Sequence, residues 1–89
     1  MEEKQKDMRE SRVTLVGIMV EDTGSVSRIN ALLHEYGSYI IGRMGIPYRE
    51  KNVNIISVVM DAPQSVVSAL AGKLGMLPGV STKCLYGKR

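Results

Sequence analysis

The 89-residue chain has no tryptophan, no phenylalanine, one cysteine (Cys84), one histidine (His34) and three prolines. Each shortage removes a class of protein. A lone cysteine cannot close an internal disulfide, so nothing marks an oxidised, secreted scaffold, and the expected localisation is cytoplasmic. No apolar run approaches the roughly 20 residues that cross a bilayer, and residues 1–12 are too charged for a secretory signal, so no membrane association is expected. A zinc or nickel centre gathers about three or four soft ligands. Here His34 and Cys84 stand alone, and only Glu21, Asp22 or Glu35 could supplement them, so no metal and no cofactor is expected. Acid–base or nucleophilic catalysis needs a base set beside a nucleophile. One histidine without a partner pattern offers none, and an enzyme is not expected.

Charge of one sign is not concentrated either. Lys and Arg number 12 against 9 Asp and Glu, for a net charge of +3 and a pI near 9.2. Within residues 1–12 the charges cancel. The surplus lies on Arg28, Arg43, Arg49, Lys51, Lys73, Lys83, Lys88 and Arg89, scattered along the rest of the chain. Nucleic-acid grips cluster their cations and interleave them with aromatics. With four tyrosines as the sole aromatics, nucleic-acid binding through this domain alone is not expected.

What is present is a globular composition, 44% hydrophobic and 24% charged, in a length that suits one domain. Residues 1–11 lack apolar periodicity and read as a flexible arm; residues 12–89 form the folded domain. Residues 12–20 (RVTLVGIMV) and 53–60 (VNIISVVM) are β-branched runs with apolar side chains at both parities, the mark of strands buried on both sides. Between them, Val26, Ile29, Leu32, Leu33 and Tyr36 recur at helical spacing and Gly37 suits a left-handed cap. Residues 38–46 read as a strand broken by Gly42 and Gly45 and ended by Pro47, with a polar hairpin at 48–52. Pro63 opens a second helix whose stripe is Val66, Val67, Leu70 and Leu74, and 80–86 is a last strand.

The order βαββαβ is that of an α+β, ferredoxin-like sandwich: a four-stranded antiparallel sheet with two helices on one face. Its central strands are then 12–20 and 53–60, the two with apolar residues on both faces. Two helices cover one face, so the other needs a partner. Val16, Ile18, Ile56, Val58 and Met60 are the expected members of that bare face, and a homo-oligomer, dimer or tetramer, follows.

Two places invite a small ligand. Asp22, Thr23, Gly24 and Ser25 open the first helix, where backbone N–H groups and the helix dipole favour an anion, though an ordinary helix cap has the same composition. Arg43 lies between glycines that would let a ligand or another chain approach; an interface salt bridge accounts for it equally, and Gly42 and Gly45 also fit bulges. Gly72-Lys73 resembles the end of a phosphate loop but lacks the spacing and the following Ser or Thr. Gly72 is read instead as allowing close approach to the sheet or a neighbouring subunit, and Lys73 as solvated.

The run Asp22-Thr23-Gly24-Ser25-Val26, followed by Ile29, Leu32, Leu33 and Gly37, resembles the strand–loop–helix opening of ACT domains. These are regulatory modules that bind amino acids or other small ligands between subunits, often through that loop; Thr23 stands where many have proline. A longer likeness runs through Asn30-Ala31-Leu32-Leu33-His34, Gly42-Arg43-Met44-Gly45-Ile46-Pro47, Ile55-Ile56, Ala69-Leu70-Ala71-Gly72-Lys73-Leu74-Gly75 and Gly79-Val80. That pattern is similar to the iron-only hydrogenase system regulators, small proteins that resemble the C-terminal ligand-binding domain of the nickel-responsive repressor NikR. The resemblance implies a non-catalytic regulatory or ligand-sensing module acting beside iron-only hydrogenase, with an unknown small-molecule effector at subunit interfaces. NikR's own nickel site, several histidines and a cysteine, is not matched here. The resemblance also leaves room for a transcriptional regulator that borrows a DNA-binding partner, since residues 1–12 are too few to fold into one. A ligand-free assembly or maturation factor for a hydrogenase-related protein is the other alternative.

Overall fold

The computed structural model describes residues 10–88; most of the expected arm, residues 1–9, lies outside them. The described chain runs β1 (Arg12–Val20), α1 (Val26–Glu35), β2 (Ile40–Tyr48), β3 (Val53–Ala62), α2 (Gln64–Gly75) and β4 (Val80–Tyr86). The strands form one antiparallel sheet in the order β2-β3-β1-β4. This is the α+β ferredoxin-like sandwich, with β1 and β3 central.

Strand parity decides the architecture. On β1 the side chains at Thr14, Val16, Ile18 and Val20 are fully buried, whereas Val13, Leu15 and Met19 remain 41–48% exposed. On β3, Ile56, Val58, Met60 and Ala62 are the buried set. The register continues this across the sheet: Arg43, Val58, Val16 and Cys84 form one row under the helices, and Gly45, Ile56, Ile18 and Thr82 the next. Ile29 and Leu33 from α1 and Val67, Leu70 and Leu74 from α2 close over these rows to make the core.

The five residues expected on the bare face therefore lie on the covered one. Val16, Ile18, Ile56, Val58 and Met60 are 0–7% exposed within a single protomer. The physical reason is packing continuity. The covered parity carries an unbroken series of branched side chains against which two helices can interdigitate, while the opposite parity is interrupted at its centre by the paired residues Gly17 and Ser57.

Element ends differ in smaller ways. α1 ends in a 3-10 turn, Gly37–Tyr39, and Gly37 does not adopt a left-handed conformation. β2 starts later and runs on through Pro47, which pairs with Asn54 and is tolerated because β2 is an edge strand. The register shifts between Ile40 and Gly42, so the bulge expected of these glycines falls at Gly42 but not at Gly45. The hairpin to β3 closes on Asn52 in the left-handed region (φ 57°), where asparagine is among the few tolerated side chains. Pro63 precedes α2 as its cap rather than joining its first turn. Gly72 is exposed, and a Cβ there would meet nothing within 4 Å, so no close approach to the sheet requires it.

Candidate functional site

The open face of the sheet is the first feature of functional interest. Across its four strands the rows read Leu85, Leu15, Val59 and Gly42; Lys83, Gly17, Ser57 and Met44; and Ser81, Met19, Ile55 and Ile46. Leu15, Met19, Met44, Ile46 and Leu85 are each 41–69% exposed. Around the missing side chain of Gly17, bounded by Met19, Ile55, Ser81 and Lys83, lies a shallow, mostly apolar depression of about 430 Å³. Exposed apolar side chains gathered on one sheet face make it a candidate for interaction.

The first loop turns out to be occupied by its own side chains. Gly24 N–H donates to Asp22 Oδ1 at 2.9 Å, Ser25 N–H donates to the Asp22 carbonyl at 3.0 Å, and Val26 N–H donates to the Thr23 carbonyl. The Asp22 carboxylate thus stands where an incoming anion would have to sit. Ser25, 2% exposed, donates its hydroxyl to the Pro78 carbonyl at 2.7 Å, and Glu21 N–H donates to the Gly79 carbonyl at 2.8 Å. Glu21 and Ser25 tie the β1–α1 loop to the turn before β4. Thr23 instead borders a hollow of about 180 Å³ beside the β2–β3 hairpin, with Pro47, Arg49 and Asn52 among its walls.

Arg43 is elsewhere. It projects from the covered side of β2 toward α1, where its Nη2 donates to Asn30 Oδ1 at 3.1 Å. Asn30 and Arg43 also border a hollow of about 340 Å³ with Leu33, His34, Gly37 and Ile40. The two hollows described along Arg43 include none of residues 22–25, and Thr23 borders a different one, so these hollows do not bring the two expected ligand elements together. Asn30 and His34, the polar residues that share the hollow with Arg43, are not among the expected ligand-binding residues, and His34 enters the sequence reading as a metal-ligand type. Their helical spacing of four, on the polar flank of the Ile29–Leu33 stripe, was the available signal.

The remaining reactive groups are dispersed. Among the described residues no three His, Cys, Asp or Glu side chains gather closely enough to hold a metal ion. Lys73 reaches Glu35 at 3.5 Å and lies 5.1 Å from the centroid of the Tyr36 ring, linking α2 to α1; its ammonium is held above the usual lysine range chiefly by the hydrogen bond with Tyr36. Cys84, half-buried under α2 in the row with Val16, has its thiol pushed up by burial. The thiolate is the reactive form. Iodoacetamide should therefore alkylate Cys84 several-fold more slowly in the native protein than in urea at the same pH, as read by mass spectrometry. Equal rates would show the thiol to be open.

The molecule is thus a small α+β sandwich with one sheet face covered by its two helices and the other open. The comparisons place the chain in a family of such small domains. Residues 12–84 match the family model "TM1266-like: Iron-only hydrogenase system regulator, putative", and the chain belongs to this family. The solved structure of the uncharacterized protein TM1266 from Thermotoga maritima is 35% identical, with a TM-score of 0.85 over 89% of this chain and all of that one. At 12% identity and a TM-score of 0.70, the C-terminal domain of MgtC from Mycobacterium tuberculosis shares the fold over 90% of this chain and 92% of that domain. A formyltetrahydrofolate deformylase from Pseudomonas putida KT2440, 16% identical with a TM-score of 0.59, shares it over 88% of this chain but only 29% of the enzyme. A search of the curated proteins gave no match. Among the described residues no helix is long and apolar enough to cross a membrane.

Proposed function

We propose that the protein is a non-catalytic, cytoplasmic regulatory module of the iron-only hydrogenase system that works as a homo-oligomer, a dimer or tetramer, and responds to a small-molecule effector held near subunit contacts. Family membership supports the regulatory role, and the observation that carries the assembly is the open sheet face. Burying a large apolar side chain is worth about 1.5–3 kcal/mol, and micromolar association requires about 8 kcal/mol. Five half-exposed side chains from each of two copies supply the attraction needed after the entropic cost of association is met.

Regulation then follows from population shift. An effector that binds one arrangement of subunits better than another, typically by about 1–3 kcal/mol, moves the equilibrium toward it. In the Asp22–Ser25 loop the Gly24 and Ser25 N–H groups are spent on Asp22, so the effector is better served by the Arg43 side of α1.

Sedimentation velocity tests the assembly. From low to high micromolar protein the mass is expected to correspond to two or four protomers, and the melting temperature to rise with concentration because association stabilises the folded state. A single protomer at every concentration would remove the proposed subunit contacts and any response that works through them.

A further inference from the structure

The groove between α1 and β2 has the chemistry of an oxyanion site. Arg43 forms no salt bridge among the described residues; its one side-chain partner is the Asn30 amide oxygen. That bond has two consequences. It fixes the Asn30 side chain with its oxygen toward Arg43, leaving both N–H bonds of its amide nitrogen free to donate, and it uses only one of the five guanidinium N–H donors. His34 lies one turn along α1 from Asn30 and borders the same hollow. The polar part of the lining therefore consists of Arg43, Asn30 and His34, with no carboxylate among its six residues.

The rest of the hollow is shaped to admit a small group. Leu33, 3% exposed, and Ile40 form an apolar wall. Gly37 leaves the rim open, since a Cβ there would meet nothing within 4 Å. A volume of about 340 Å³ is at the low end for small-molecule sites, which run from roughly 300 to 1,000 Å³. A guanidinium presents a planar fork that matches two oxygens of a carboxylate or phosphate, and charge-assisted hydrogen bonds of this type are about twice as strong as neutral ones.

We propose that the α1–β2 hollow binds a compact oxyanion, the carboxylate or phosphate group of a small ligand, through Arg43 with Asn30 and His34 beside it. This deepens the effector reading above and rests on it for any regulatory consequence, but the binding itself is a property of one protomer.

The test is a two-dimensional amide NMR titration of the full chain with sodium acetate and, separately, inorganic phosphate, each against sodium chloride at matched ionic strength. Saturable shifts are expected at residues 30, 33, 34, 37, 40 and 43, with acetate and phosphate deciding which oxyanion fits better. Arg43→Met should weaken binding roughly tenfold or more, as loss of a charged hydrogen-bonding partner does, while Arg43→Lys should recover part of it and Asn30→Ala should lose less. Arg43 is exposed on an edge strand, so its variants should keep the native spectrum outside the hollow. The proposal is overturned if chloride gives the same shifts, if the shifts fall elsewhere, or if Arg43→Met titrates like the parent. Sedimentation on the same samples separates the two ideas. Lone protomers with an intact Arg43 response sink the assembly reading and support the oxyanion site; an intact oligomer without the response does the reverse.

Discussion

Gly79→Ala is expected to lower the unfolding free energy by about 3 kcal/mol, a large share of the roughly 4–13 kcal/mol available to a domain of this length. Gly79 has φ +68°, a left-handed conformation that costs a residue with a side chain about 1–2 kcal/mol. Space makes it worse. A Cβ at this position would fall 2.6 Å from Asp22 Cβ and 2.9 Å from the Asp22 backbone nitrogen. Backbone cannot swing aside as a flexible side-chain tip can, so the β1–α1 loop must separate from the turn before β4. That turn is held by the Glu21 N–H to Gly79 carbonyl bond and the Ser25 hydroxyl to Pro78 carbonyl bond, both of which the displacement strains. Ser25→Ala removes one of these bonds without the clash and should cost nearer 1 kcal/mol. Urea unfolding at fixed protomer concentration, with unchanged m-values, measures both. A Gly79→Ala loss below that of Ser25→Ala would mean that the turn is not a clamp on the loop.

The fold was legible in the sequence because its determinants are local and repeated. The stripe Ile29–Leu33 and the stripe Val67–Leu70–Leu74 have helical spacing, β4 begins and ends at the expected residues, and the order βαββαβ admits few topologies. Which face the helices cover is not legible along a single strand. In doubly apolar strands, hydrophobicity alone does not separate Val16, Ile18 and Val20 from Val13, Leu15 and Met19. The deciding signal lies across strands rather than along them: Gly17, Ser57 and Lys83 form one row, and a row of small and charged residues makes a poor seat for a helix. That row is visible only once the β1–β3 and β1–β4 registers are known, and both pairings join strands that are far apart in the sequence. The site was legible in part. Arg43 was picked out by its flanking glycines, but its partner Asn30 is 13 residues away and joins it only through tertiary packing. For the loop, composition fits two readings, and the Asp22 carboxylate favours the cap.

The same parity argument yields a paired experiment with opposite outcomes at adjacent positions. Leu15 and Val16 are neighbours in the middle of β1, one 41% exposed on the open face and the other fully buried beneath the helices. Val16→Glu puts a carboxylate into a row made by Val58, Cys84 and Arg43. Arg43 lies on the exposed edge strand, two strands away, and is turned toward Asn30. An unpaired buried charge costs several kcal/mol, so this variant should lose its cooperative unfolding transition and its near-ultraviolet tyrosine signal. Leu15→Glu sets the same carboxylate between Val59 and Leu85 on the open face, where a lone protomer leaves it in water. There it should cost the protomer no more than about 1 kcal/mol, and circular dichroism should match the parent. Its effect should appear in association instead: two sheets packed about 10 Å apart leave no solvent for a central carboxylate, and weakening by 100-fold or more is expected from about 3 kcal/mol of desolvation cost. If Leu15→Glu unfolds the protein while Val16→Glu does not, the assignment of the two faces is wrong. If Leu15→Glu stays folded and assembles as tightly as the parent, the subunits meet through another surface.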